Sequence, residues 1–209
     1  MALPPLRSAV VLAGGASSRM GVDKAALLLG SRTLLGTVLE RLAPYATDRI
    51  VVARAGQPLP PLPAGVRIVH DDPPGRGPLG GLAQGLRAAQ HEVVLVSACD
   101  TPLLAAPVLD LLLERLGRAA GAVAVAGGVL QPMASVLRRE VHEVAERLLA
   151  AGQRRPLDLL EAIAAVQVPE ADLRRVDPAL RHLHNINTRA DLAEARAWLA
   201  GEGGTPSGI

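Results

Sequence analysis

The chain has 209 residues and a formal charge of +2, a length that suits one domain with a real core and a balance with no basic block to mark a nucleic-acid footprint. Apolar residues make up 49% of it and aromatics only 1%, so the core must be Leu, Val, Ile and Ala, and stacking on single-stranded bases is nearly ruled out. Its one cysteine, Cys99, excludes an internal disulfide and a cysteine-based zinc site.

Short β-like runs alternate with longer segments of helical period. "SAVVLA" (Ser8 to Ala13) reads as a buried strand and "TLLGTVLERLA" (Thr33 to Ala43) as a helix, with apolar residues at three- and four-residue steps. Strands follow at Arg49 to Ala53 and Val66 to His70, separated by the proline-rich "QPLPPLPAG". A helix is expected over Gly77 to Gln90, a strong buried strand over Glu92 to Ala98, and a helix over Ala106 to Gly117 with proline near its start and glycine at its end. The pattern then changes. "AVAVAGGVLQPMASVL" (Ala122 to Leu137) reads as two strands around Gly127-Gly128, a hairpin set into the α/β order. Helices are expected at Glu140 to Ala151, Leu157 to Ala164 and Thr188 to Ala200, before a disordered tail over residues 201–209.

The expectation is a single-domain, Rossmann-like α/β fold: a mainly parallel sheet with helices on both faces and a small inserted β-hairpin. No apolar run reaches the roughly 18 uncharged residues of a membrane span. The first ten residues lack a signal-peptide pattern, so a cytoplasmic location without membrane contact is expected.

"VVLAGGASSRMGVDKAALL" (Val10 to Leu28) carries the first chemical signal. A strand opening into glycines is where α/β proteins bind phosphates, because backbone N–H groups come close and the next helix end adds positive potential. The dinucleotide pattern G-x-G-x-x-G does not fit "GGASSRMG", and a Walker loop needs Gly-Lys-Ser/Thr where this chain has Gly21-Val22-Asp23. Gly14-Gly15 alone is equally read as a plain strand-to-helix turn; Arg19, Asp23 and Lys24 in one short loop fit that reading less well. Lys24 is the only lysine among 22 basic residues. An ammonium is a compact point charge, whereas guanidinium is a broad planar fork.

Two further segments add carboxylates. "HDDPPGRGPLGGL" (His70 to Leu82) places Asp71 just past a strand, as a turn residue or as an acceptor for a purine N–H or ribose hydroxyl. "LVSACDTPLL" (Leu95 to Leu104) ends a hydrophobic strand on Asp100, which is open to two readings, a helix N-cap or a magnesium ligand beside substrate phosphates. Cys99 has no paired base and reads as a small buried residue.

"LAGGASSRMGVDKAAL" resembles the opening signature of the molybdenum cofactor guanylyltransferases, a branch of the nucleotidyltransferase superfamily, over about residues 7 to 200. The resemblance implies a nucleotidyltransferase domain over residues 1–200 that joins GMP from GTP to the phosphate of molybdenum-molybdopterin and releases pyrophosphate. It implies backbone contacts to GTP from Leu12, Ala13, Gly14 and Gly15, a nucleotide contact from Asp71, and Lys24, Arg19 and Asp100 as the catalytic set. Magnesium would be the cofactor, held by Asp100, and other cofactor-biosynthesis proteins would be partners. "AGQRRPLDLL" resembles an A-G-x-R-R loop whose Arg154 and Arg155 would bind the pterin phosphate, or else form a solvated helix end. "NINTRADL" resembles the terminal N-x-N-T motif, with Asn185 and Asn187 on the pterin side and Thr188-x-x-Asp191 as a local capping box. Two positions depart from the family: Gln131 stands where relatives carry His, and Ala53-Arg54 where they end the second strand on Asn. CMP transfer, another phosphorylated acceptor, or a non-catalytic cofactor-binding module remain the alternatives.

Overall fold

The structure is a computed structural model that describes residues 6–14, 23–71 and 75–202. Its centre is β1 (Ser8–Leu12), which lies parallel between β4 (Asp48–Arg54) and β6 (Val93–Ala98). Ala9, Val10 and Val11 have no exposed surface, the continuous apolar run expected of a parallel strand covered on both faces. β5 (Val66–Asp71) extends the sheet beyond β4.

The predicted hairpin does more than decorate this sheet. β7 (Gly121–Ala126) and β8 (Val129–Arg138) pair antiparallel, and β8 also pairs antiparallel with β6. β9 (Val166–Val168), too short to stand out in the sequence, adds parallel to β7, giving the seven-strand order β5-β4-β1-β6-β8-β7-β9. The two-residue strands β2 (Leu28–Leu29) and β3 (Arg32–Thr33) form a separate ribbon.

Helices cover both faces. α1 (Leu34–Leu42), capped by the Thr33 hydroxyl accepting from the Gly36 N–H, joins α3 (Ala106–Leu116) and α6 (Glu170–Val176) on one face. The other carries α2 (Gly77–Ala88), α4 (His142–Ala150) and α5 (Pro156–Ala162). α2 lies close to the sheet because Gly85 has no side chain: a Cβ there would stand 2.4 Å from Val10 Cγ1. α7 (Arg189–Glu202) builds a third, smaller core with Leu29, Leu34 and Ile186. It runs two residues into the expected tail, whose remainder lies outside the described residues. No described helix is long and apolar enough to cross a membrane.

The amino ends of the strands are pinned by one buried carboxylate. Asp48 accepts from Ser8 Oγ (2.6 Å), Arg67 Nη2 (2.7 Å) and the Gln90 N–H (2.9 Å). Burial alone would raise its pKa; the Ser8 hydroxyl, the Gln90 amide and Arg67 outweigh burial and hold it below the usual carboxylate range. Asp48→Asn is expected to cost about 2 kcal/mol near neutral pH, the scale of charge-assisted hydrogen bonds. Because the folded pKa lies below the unfolded value of about 3.9, that contribution is complete above the unfolded value and fades as pH falls through the folded one. Urea denaturation of both proteins between neutral and acid pH checks this; a gap that widened on acidification would contradict it.

Candidate active site

The carboxyl ends of β1, β4 and β6 meet at the switch point of the sheet, where β1 leads through α1 to β4 on one side while β6, on its other side, is reached from β5 through α2, the place at which open α/β sheets bind ligands. Two adjoining clefts open there, sharing Leu12, Gly14 and Pro78. The larger, about 570 Å³, is mainly apolar and is rimmed by Arg54 and Asp71. The smaller, about 310 Å³, is the more polar of the two and carries Asp23, Lys24, Asp100 and Asn185. A third recess of about 150 Å³ continues past Met133 and Asn185 to Gln131 and His182.

Two distant segments converge on Lys24. Its Nζ donates to Asp100 Oδ2 (3.1 Å) and to Asn187 Oδ1 (2.6 Å). The Lys24 and Asp100 side chains keep 19% and 26% of their surface exposed, enough to meet a ligand yet shielded enough to strengthen their field. Lys24 opens a 3-10 turn, Lys24–Ala26, that Asp23 caps through Oδ1 and the Ala25 N–H (3.0 Å). Asp23 is thus committed to shaping this turn. Asp100 follows β6, and the Ile186 N–H reaches its carbonyl (2.8 Å). Ile186 is fully buried, anchoring the segment and leaving Asn185 and Asn187 exposed on either side.

The capping box predicted after Asn187 is present and aims it. The Asp191 carboxylate accepts from the N–H groups of Asn187 and Thr188 (2.8 Å each), and Thr188 Oγ1 accepts from the Asp191 N–H. These amide hydrogen bonds, that of Asn187 first, hold the Asp191 pKa below the ordinary carboxylate range. Behind Asn185, buried His182 meets Asp177 Oδ2 through Nδ1 (2.6 Å); burial outweighs that carboxylate and lowers the imidazole pKa.

Asp71 ends β5 against the first turn of α2. Gly80 permits this, since a Cβ there would lie 3.2 Å from Asp71 Oδ1 and 2.4 Å from Arg76 Cβ. Leu12, Ala13 and Gly14 line the smaller cleft, with the Ala13 N–H held by the Val52 carbonyl (2.9 Å). Gly15 and Arg19 lie outside the described residues. The guanidinium of Arg154 donates to the Leu149 and Gln153 carbonyls and that of Arg155 to Asp158, and neither residue lines the three clefts. Cys99 is buried, and burial first, then Asp100, pushes its thiol up to about 12; it is no thiolate nucleophile.

Two site residues escaped the sequence reading. Met133 enters the smaller cleft because the β7–β8 register slips after Val123, beside Pro132, which has no N–H for the ladder. Gln57 opens the proline-rich stretch that reads only as a separator, yet donates to Ala13 and Asp23 at the cleft. Proline at 132 is the one local signal for the former; nothing local points to the latter.

A family model described as a MobA-like NTP transferase domain matches residues 9–170. The chain belongs to this family. It is 39% identical over 197 residues to a protein named probable molybdenum cofactor guanylyltransferase from Mycobacterium avium (strain 104), covering 90% of this chain and 95% of that one. A relative of the same name from Chloroflexus aggregans is 34% identical over 201 residues, covering 93% and 95%. The family resemblance of the opening motif is thereby borne out. Among solved structures, the fold matches molybdopterin-guanine dinucleotide biosynthesis protein A from Archaeoglobus fulgidus with a TM-score of 0.75 at 24% identity, over 94% of this chain and all of that one. It also matches 2-C-methyl-D-erythritol 4-phosphate cytidylyltransferase from Thermus thermophilus, with a TM-score of 0.70 at 22% identity, over 92% and 98%. As a MobA-like chain it is a nucleotidyltransferase by family.

Proposed function

We propose that this MobA-like chain transfers GMP from GTP to the terminal phosphate of molybdenum-molybdopterin, in the cytoplasm and with magnesium. The carrying observation is Lys24 Nζ held between Asp100 and Asn187 at the strand ends, because it joins three separate family motifs at one cleft. The larger, mainly apolar cleft suits the nucleoside, with Asp71 as an acceptor for purine N–H groups; the more polar one, with Lys24, suits the phosphates. The recess past Asn185 offers the acceptor a place on the far side of the transferred phosphorus.

Magnesium fits the donor set. Asp100 and Asn187 present oxygen, and the Lys24 ammonium already marks a cation position at Asp100. No cluster of three or more His, Cys, Asp or Glu occurs among the described residues, in keeping with an ion that completes its shell with water and substrate phosphates. When bound, it would neutralise charge on the phosphate oxygens.

The chain's own residues orient and neutralise. A terminal phosphate oxygen of the pterin attacks the α-phosphorus of GTP as the bond to the β-phosphate oxygen breaks, and pyrophosphate leaves. The attacking phosphate is already ionised near neutral pH, so the site needs no general base. Lys24, with Arg19 from the same loop, would stabilise charge growing toward pyrophosphate. The backbone at Leu12 to Gly15 would floor the nucleotide site, with contacting N–H groups expected past Ala13, whose own N–H is held by the Val52 carbonyl, and Asn185 would face the acceptor. Arg154 and Arg155 would reach the acceptor phosphate only by giving up their present partners, the Leu149 and Gln153 carbonyls and Asp158, and other cofactor-biosynthesis proteins would supply substrate or take product. Incubating the pure protein with molybdopterin, magnesium and each nucleoside triphosphate, then weighing the product, tests the assignment. A GMP adduct from GTP alone is expected; a CMP adduct overturns the base assignment, and no adduct overturns the transfer.

A further inference from the structure

Gln57 stands just past the end of β4, in a turn closed by its own N–H to the Arg54 carbonyl (3.1 Å), with Gly56 at φ +74°. That turn folds the side chain back over the strand ends. Nε2 donates to the Ala13 carbonyl (3.0 Å) and to Asp23 Oδ2 (2.7 Å), while Oε1 accepts from the Arg54 N–H (3.1 Å). Ala13 and Asp23 bracket the glycine-rich segment, and Arg54 rims the larger cleft. One amide therefore ties both ends of that segment to the strand end on the nucleoside side.

We infer that Gln57 is a positioning residue for nucleotide transfer, a clasp that holds the Lys24 turn in register with the nucleotide floor at Ala13 and Gly14. The inference rests on the GTP site proposed above. Both oxygens of Asp23 are used in this arrangement: Oδ1 caps the turn that presents Lys24, and Oδ2 is held by Gln57. Only a side chain with two donors and an acceptor serves all three points. Glutamate in its place has no N–H to give and sets a second negative charge beside Asp23. Alanine leaves the Asp23 carboxylate without that restraint, close to the phosphates it should not face. A loosened turn misplaces the charge that must meet the transition state, and small misplacements of such groups are costly.

The test compares wild type with Gln57→Ala and Gln57→Glu, measuring GTP affinity by calorimetry, kcat, the KM for molybdopterin and thermal stability. For Gln57→Ala, GTP binding weakened about tenfold and kcat lowered about tenfold are expected, with the molybdopterin KM and the melting temperature unchanged; Gln57→Glu should lose more. Combining Gln57→Ala with Asp23→Ala should lower kcat by less than the product of the single effects, because both remove the same link. Wild-type GTP affinity and kcat in Gln57→Ala overturn the inference alone. So does equal damage to both substrates with a lowered melting temperature, which would mark general loosening. Absence of GTP binding by the wild type overturns the functional reading, and this inference with it.

Discussion

Lys24→Ala is expected to lower the rate of GMP transfer by about a hundredfold or more, the usual cost of removing one preorganised charge aimed at a transition state. The ammonium lies 3.1 Å from Asp100 Oδ2 and 2.6 Å from Asn187 Oδ1, as a single point between two oxygens. Phosphate oxygens entering the cleft find that charge already in place, so little reorganisation is needed when the leaving group develops charge. Lys24→Arg preserves the charge but spreads it over a planar fork, and it should remain about tenfold or more below wild type. Stability should scarcely change, because the pair is partly exposed and such pairs contribute little to folding. Rapid-quench measurement of a single turnover with saturating GTP separates chemistry from product release. A rate for Lys24→Ala within a few-fold of wild type would remove Lys24 from the mechanism.

The lone lysine was informative in the sequence because every other basic residue is arginine, but its neighbours there were silent about its partners. Asp100 lies 76 positions away and Asn187 lies 163 away. Their motifs were legible one by one, each with a good local explanation, and the capping box at Thr188 and Asp191 is indeed present. What joins local and functional roles is that the box fixes the backbone of Asn187 and so aims its amide. The parallel strands were legible because β1, β4 and β6 are apolar runs covered on both faces; the hairpin was legible as a hairpin from Gly127-Gly128. Its place in the sheet was not, since pairing between β8 and β6 depends on long-range register that no local pattern carries. β9 and α6 were missed for a related reason: a strand of three residues holds almost no periodicity and α6 buries only Leu173, so their partners β7 and α3 decide them. Gln57 is the extreme case, a loop residue whose three contacts depend on a turn at Gly56 and on two other segments.

Asp100→Asn should be at least as damaging, about a hundredfold or more in transfer rate, and it separates charge from shape. Asparagine keeps an oxygen for Lys24 Nζ and fits the space, and the Ile186 N–H still has the backbone carbonyl at position 100. The lost negative charge is what a magnesium ion would need, since Asp23 is engaged by the Ala25 N–H and Gln57 and the described residues hold no other acidic cluster. The wild-type rate is expected to vanish on chelation and return with added magnesium. In Asp100→Asn the concentration for half-maximal rate should rise about tenfold or more, as expected when a hard cation loses its one anionic protein ligand. Manganese binding followed by electron paramagnetic resonance gives the same comparison without turnover. If Asp100→Asn lowered the rate but left both metal responses untouched, the carboxylate would act through Lys24 alone, and the cation would have to be held by substrate phosphates.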